Sequence, residues 1–146
     1  MKVVLRTLIF SVIVTSCSIF ESDNGPCIHS YDEPVLEITS AISAEDDSPI
    51  EEVVISEVTI DSVLFSVQDL TLEFSENIIV KDSVLICSIP CGFGTNEGIY
   101  ELTFSAQGYF DLTISTLAEY DNKKGGCPSS SSGSHHLGFS LYPKPN

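Results

Sequence analysis

The sequence predicts an all-β fold, a two-layer antiparallel β-sandwich of about seven or eight strands. From Pro34 onwards, apolar residues alternate with polar ones, which is the period of strands that bury one face. Val, Ile, Thr and Ser are frequent in these runs, and β-branched residues favour strands. No window of 12 residues has the spacing of an amphipathic helix. Strands with one apolar face bury it by packing two sheets against each other.

Eight alternating runs follow one another along the chain, separated by short polar segments. We expect strands within 36–42, 54–60, 63–67, 70–74, 78–86, 100–106, 110–114 and 137–141. In the second run, Val54, Val58 and Ile60 share one parity, which predicts that they face the same side. The pair Gln107-Gly108 lies between two runs and predicts a two-residue hairpin turn.

The amino-terminal segment has the layout of an export signal. Lys2 and Arg6 supply positive charge, and the apolar run 8–14 follows. This run is shorter than the roughly 20 apolar residues that span a bilayer. The sequence Val14-Thr15-Ser16-Cys17 that ends it resembles the lipobox of bacterial lipoproteins. We therefore expect residues 1–16 to be a signal peptide.

The lipobox resemblance implies a membrane anchor at Cys17. In that family the signal is cleaved before the Cys, which then carries diacylglycerol and acyl chains; several chains on one residue make a stable anchor. Residues 17–34 are then a lipidated tether with Gly and Pro among polar residues, and residues 35–143 form the folded domain. In lipoproteins of this family, an Asp directly after the lipidated Cys favours retention in the inner membrane. Ser18 stands at that position here, which resembles the pattern of lipoproteins sorted to the outer membrane. The expected location is the bacterial cell envelope, in the outer membrane.

The charge balance excludes one class of partner. The 146 residues include 21 Asp and Glu against 6 Lys and Arg, for a net charge of −15. Removal of residues 1–16 also removes Lys2 and Arg6, which leaves four basic residues and a charge of −17. Nucleic-acid binding depends on Lys and Arg at the phosphates, so no nucleic acid is expected as a partner. Most carboxylates are expected to form a solvated outer surface.

The cysteine count becomes even once Cys17 is lipidated. Cys27, Cys87, Cys91 and Cys127 remain as disulfide candidates, enough for two bridges in an oxidising compartment. Reflection about the predicted turn at 107–108 places Cys127 opposite position 88. The sequence therefore predicts a bridge from Cys127 to Cys87 or Cys91, and from Cys27 to whichever of the two is left.

A second resemblance rests on a hairpin motif. Residues 98–109 read G-x-Y-x-L-x-F-x-A-x-G-Y, and Ser48-Pro49-Ile50 and 137–143 are weaker companions. Residues 35–143 look like a carboxypeptidase regulatory-like domain, which implies a transthyretin-like, or more broadly immunoglobulin-like, sandwich. The resemblance also implies a bridge between Cys91 and Cys127. Residues 60–86 depart from the family in being longer and more acidic.

Sequence patterns for catalysis or metal binding are weak. We find no H-E-x-x-H, G-x-S-x-G or Walker motif. Cys87, Cys91 and the pair His135-His136 could suit zinc, but adjacent side chains on a strand point to opposite faces. The carboxylates at 45–47 lack the spacing of a calcium loop. We therefore expect no catalytic residues, no cofactor and no metal site.

These observations leave two classes of function. The first is a non-catalytic envelope lipoprotein whose sandwich is a structural or protein-interaction module, with a protein partner in the envelope. The resemblance favours it, because the regulatory-like domain is an accessory unit beside catalytic domains. The alternative is a module that binds a carbohydrate, a peptide or Ca²⁺.

Overall fold

The computed structural model describes residues 26–71 and 74–145. This part of the chain contains eleven strands and one short helix, so the predicted all-β class is confirmed. The predicted signal peptide, the predicted lipidation site Cys17 and the first part of the predicted tether lie outside the described residues.

The elements follow one another with short connections. In chain order they are β1 (His29–Tyr31), β2 (Leu36–Ser43), β3 (Glu52–Ile60), β4 (Val63–Leu64), α1 (Val67–Thr71), β5 (Ser75–Lys81), β6 (Val84–Phe93), β7 (Gly98–Ser105), β8 (Leu112–Ala118), β9 (Asn122–Lys124), β10 (Ser129–Ser132) and β11 (His135–Leu141).

Eight of these strands form a large mixed sheet. Its main path runs β11-β2-β6-β3-β7-β8, with β4 paired to β3 and β5 paired to β6. Strand β6 joins the two halves, because its first part pairs with β3 and its last part pairs with β2. All pairs are antiparallel except β2 with β11, which is parallel.

The two ends of this path approach each other, so the sheet is sandwich- or barrel-like. The backbone N–H of Phe110 donates to the carbonyl of Tyr142 at 2.9 Å, and that of Lys144 donates to Gly108 at 2.8 Å. Further along, the side chains of Thr116 on β8 and His135 on β11 are hydrogen-bonded at 2.8 Å.

An apolar core fills the space that the sheet encloses. Its largest fully buried side chains include Tyr100, Phe93 and Phe104, all on β6 or β7. The Phe104 ring packs against Phe139 of β11 with centroids 4.3 Å apart. Full burial of an aliphatic or aromatic side chain contributes about 1.5–3 kcal/mol, so this core is the main source of stability.

The buried face of β3 changes parity within the strand. Val53 and Ile55 are buried in its first half, and Val58 and Ile60 in its second. The register shifts between these halves, where Glu57 has a positive φ of 51°. The prediction that Val54 shares the face of Val58 is therefore wrong, because an irregularity of this kind breaks a strict period of two.

The described residues 63–71 do not form the strands predicted at 63–67 and from residue 70. After the short β4, the chain turns into helix α1, which buries Val67 and Leu70 on one side. Ser66 caps the helix. Its Oγ accepts a hydrogen bond from the N–H of Asp69 at 3.2 Å, and its carbonyl oxygen accepts one from the N–H of Leu70 at 3.3 Å. Leu70 is three residues from Val67, so a single helical turn buries both.

The predicted strand at 78–86 is instead a hairpin of β5 and β6. Asp82 and Ser83 connect the strands, with φ values of 49° and 62°. Two consecutive positive φ values are typical of a type I′ turn, whose twist matches paired strands. The later hairpin is confirmed in part: β7 pairs with β8, and the Tyr109 N–H donates to the Ala106 carbonyl around Gln107-Gly108. The predicted two-residue connection is wrong, because β7 ends at Ser105, β8 begins at Leu112, and the last pair of the ladder is Phe104 with Leu112.

A small sheet completes the fold. It has the order β1-β10-β9, with β1 parallel to β10 and β10 antiparallel to β9. Strand β1 lies within the segment 17–34 that the sequence predicts as a tether. Its side chains and those of its partners are mainly Ser, Lys and His rather than apolar residues.

Candidate functional site

The four described cysteines fall into two pairs. Cys87 and Cys91, both on β6, form a disulfide with their Cα atoms 5.7 Å apart, and both are buried. Cys27 and Cys127 are exposed thiols. The predicted bridge from Cys127 to Cys87 or Cys91, and the implied Cys91–Cys127 pair, are therefore wrong.

The geometry of β6 explains the correction. Reflection about the turn assumes that β6 continues along the β7–β8 hairpin. The hairpin pairing instead begins at Gly98 with Ala118, while β6 pairs with β2, β3 and β5. Within β6 the register shifts, since Glu76 is opposite Gly92 whereas Ile78 is opposite Cys87, and this irregularity lets Cys87 and Cys91 meet with their Cα atoms 5.7 Å apart. Cys127 belongs to the segment that leads into β10.

A cleft of about 540 Å³ lies beside the small sheet, and we call it the small-sheet cleft. The small sheet forms one wall, and residues 95–97 before β7 form the other. Among the side chains that line it are those of His29, Tyr31, Glu97, Tyr120, Lys123 and Ser131.

Aromatic rings form the apolar part of this cleft. The rings of Tyr31 and Tyr120 stack with centroids 5.7 Å apart and an interplanar angle of 28°. His29 packs edge-on against Tyr31 at 4.6 Å. The Tyr120 hydroxyl donates to the carbonyl of Glu33 at 3.0 Å, which ties the stack to the start of β2. Tyr120 is buried, so the half-buried Tyr31 is the ring of this stack that offers the larger accessible surface.

An ion pair joins the two walls of the cleft. The ammonium of Lys123 lies 2.7 Å from Glu97 Oε1, which also accepts from the N–H of Tyr120 at 2.8 Å. Burial raises the pKa of Glu97, but the Lys123 hydrogen bond, the Tyr120 N–H and the Lys123 charge outweigh it, so this pKa lies below its ordinary value. The same hydrogen bond to Glu97 raises the pKa of Lys123.

The histidine of the cleft is engaged by serine hydroxyls. His29 Nδ1 lies 2.7 Å from Ser129 Oγ, and Nε2 lies 3.1 Å from Ser131 Oγ. A catalytic serine needs a base whose other nitrogen is oriented by a third group, usually a carboxylate. Here both ring nitrogens face hydroxyls, so the arrangement lacks the geometry of such a triad.

The histidine pair and the acidic turn, both considered as metal ligands from the sequence, each have other partners. His135 contacts Thr116, whereas His136 lies 3.3 Å from a carboxylate oxygen of Glu37. In the part of the chain that the structure describes, no three His, Cys, Asp or Glu side chains are placed to hold a metal ion. Asp46 accepts hydrogen bonds from Ser48, chiefly from its hydroxyl, and these lower the pKa of Asp46 in an exposed turn.

A second candidate surface lies at strand β5. Within the described residues β5 pairs with β6 and with no other strand. Ile79 of β5 is opposite Ile86 of β6, which is opposite Val54 of β3. These three residues face outwards, because their neighbours along β3 and β6 point into the core. We call them the outer apolar row; it ends at Ile79, whose side chain is 64% exposed.

Comparisons with known proteins found no match for the chain. No protein-family model, no curated protein and no solved structure matches it. Among the described residues, no helix is long and apolar enough to cross a membrane.

Sequence reasoning missed both surfaces. His29 and Tyr31 lie in the segment predicted as a tether, and β10 lies in a Ser-rich run outside the eight predicted strands. A polar strand carries no apolar alternation, so neither showed the usual signal of a strand. The available hint of a strand was that His29 and Tyr31 flank Ser30, which would place both rings on one face of an extended segment.

Proposed function

We propose that this protein is a non-catalytic, lipid-anchored protein of the bacterial cell envelope whose sandwich binds a partner protein. The partner contributes an extended segment that adds to the free edge of β5. The observation that carries this proposal is the combination of that edge, which pairs with no strand other than β6 among the described residues, with the outer apolar row. The anchor is the predicted lipid on Cys17.

Backbone chemistry supports the choice of an extended segment. On an edge strand, every second N–H and C=O points away from the sheet and bonds to water or to another strand. The straight part of β5 is 78–81, because Asn77 has a positive φ of 53° and interrupts the register. A segment that pairs there gains backbone hydrogen bonds, and its apolar side chains reach Ile79 and Val80.

Charge indicates which segments suit this edge. The exposed Glu52 lies two residues before Val54 on the same face, and the exposed Asp82 lies in the β5–β6 turn. Glu76 of β5 is also exposed, and Lys81 at its end is the basic residue of this strand. With 21 acidic residues in the whole chain, an approaching segment experiences a negative field. We therefore propose a partner segment that is extended, partly apolar and basic.

Photo-crosslinking in living cells tests this proposal. A photoreactive amino acid replaces Ile79, and a matched control carries it at Ile99, which is 52% exposed on β7. We expect a defined crosslink from position 79 that is absent at position 99. Mass spectrometry should place it in an extended basic segment, and a synthetic peptide of that segment should slow amide exchange in β5. Equal crosslinking at both positions, or none at 79, would contradict the proposal.

The anchor is tested in the same cells. Cys17→Ala should abolish labelling with palmitate and release the protein from the membrane fraction, because the other cysteines are not in a lipobox. Label retained in this variant would contradict the lipid anchor while leaving the β5 interaction open to the crosslinking result.

A second candidate function has its own observation. The small-sheet cleft combines the stacked rings of Tyr31 and Tyr120 with hydroxyl, ammonium and carboxylate groups. Such a mixture suits a small polar ligand such as a carbohydrate. Two results together would favour this function over the first. The crosslink at position 79 would be absent, and a carbohydrate would stabilise the parent protein against unfolding but not the Tyr31→Ala variant.

A further inference from the structure

The register of the small sheet brings its two thiol-bearing segments together. Strands β1 and β10 are parallel, with His29 beside Ser129 and Tyr31 beside Ser131. The pairing continues one step before β1, since the N–H of Ser129 donates to the carbonyl of Ile28 at 3.1 Å. The same register, extended by two residues, places Cys27 beside Cys127.

Side-chain contacts agree with this register. The Sγ of Cys27 donates to the carbonyl of Gly126 at 3.4 Å, directly before Cys127 in the chain. A hydrogen bond with the Cys127 side chain, assisted by slight burial, raises the pKa of the Cys27 thiol. Both side chains are exposed, so an oxidant can reach them.

We propose that Cys27 and Cys127 form a second disulfide, which joins the start of β1 to the segment before β10. Both thiols lose their protons and together give up two electrons as the Sγ–Sγ bond forms. The oxidant is the disulfide of an exported thiol–disulfide oxidoreductase, or glutathione disulfide in vitro. Its S–S bond breaks, and it takes up the two electrons and two protons as two thiols.

The fold gives this bond a defined role. Strands β1, β9 and β10 bury little apolar surface, and their mutual contacts are mainly backbone and hydroxyl hydrogen bonds. A covalent link between residues 100 positions apart restrains the unfolded chain far more than one between Cys87 and Cys91. The bond also lies at the rim of the small-sheet cleft, beside Gly125 and His29. The proposal is independent of the β5 interaction.

Peptide mapping without reduction tests the pairing directly. The full chain is exported to an oxidising bacterial compartment, free thiols are alkylated at harvest, and the protein is digested. We expect one linked product that contains Cys27 and Cys127, and another that contains Cys87 and Cys91. Alkylated Cys27 and Cys127, or a link from either to Cys87 or Cys91, would overturn the proposal.

Hydrogen exchange measures what the bond does. In the oxidised protein, amides of β1 and β10 should exchange at least about tenfold more slowly than in Cys27→Ser, because local opening of the small sheet is restricted. Cys127→Ser should match Cys27→Ser, and the amides of β7 should not change in either variant. Equal exchange in β1 and β10 with and without the bond would contradict the role assigned to it.

Discussion

The large and small sheets differ in what holds them together. The large sheet encloses fully buried side chains such as Phe93, Tyr100 and Phe104, and its central strand carries a buried disulfide. The small sheet is held by hydroxyl and imidazole contacts. Of the four described residues of β10, Ser131 is the one that is buried. Strand pairing alone therefore does not indicate how strongly a region is stabilised.

The magnitudes of the two kinds of interaction explain why this difference matters. Each buried apolar side chain in the large sheet contributes about 1.5–3 kcal/mol. A typical hydrogen bond, such as that between His29 and Ser129, contributes a net 0.5–1.5 kcal/mol or so. We expect global unfolding to report on the large sheet, and local opening to report on the small sheet.

The largest effect is expected from the core of the large sheet. Phe104→Ala removes a fully buried ring that packs on Phe139, and should lower the free energy of unfolding by about 3–5 kcal/mol. Denaturant titration measures the change. The matched control is Phe110→Ala, whose ring is 51% exposed and which should cost less than about 1 kcal/mol. Similar losses for both variants would show that the core does not dominate.

An intermediate effect is expected from the buried disulfide. Replacing both cysteines, as Cys87→Ala with Cys91→Ala, removes a bridge that closes a short loop within β6. The loss should be about 2 kcal/mol, at the lower end of the range for disulfides because the loop is short. Denaturant titration of the variant and the parent measures it. A loss above that of Phe104→Ala would reverse the proposed order of the two contributions.

The smallest effect is expected from the ion pair beside the small sheet. The pKa of Glu97 is lowered on folding, so its stabilising contribution is present above the ordinary value of 4.5 and is lost as pH falls through the lower, folded value. The Glu97 and Lys123 side chains are 34% and 52% exposed, so water and salt screen the pair.

Amide exchange in β9 and β10, corrected for its intrinsic pH dependence, tests this expectation. Opening should increase by at most about fivefold between pH 6 and pH 3. In Glu97→Gln the amide oxygen still accepts from the Tyr120 N–H, but this acid-dependent increase should disappear. An increase of equal size in the variant would assign the acid sensitivity to other carboxylates.

Particular residues show how far sequence reasoning reached. The alternation at 100–106 correctly predicted β7 and its pairing with β8, because local spacing determines which face of a strand is buried. The two-residue turn at Gln107-Gly108 was too short, since six residues separate the two strands. The same reasoning failed at Leu70, where one capped helical turn replaces a strand. It also failed at Cys127, because the strands with which β6 pairs are set by distant segments and not by the local sequence.

The sequence by itself determined the all-β class and most strands of the large sheet, because a period of two in apolar residues is a local consequence of burying one face. Only the tertiary structure decided the Cys87–Cys91 pair, the free edge of β5 and the small sheet. These depend on contacts between segments, some 100 residues apart, as for His29 and Ser129. Polar strands leave no apolar pattern, so their partners emerge only when the chain folds.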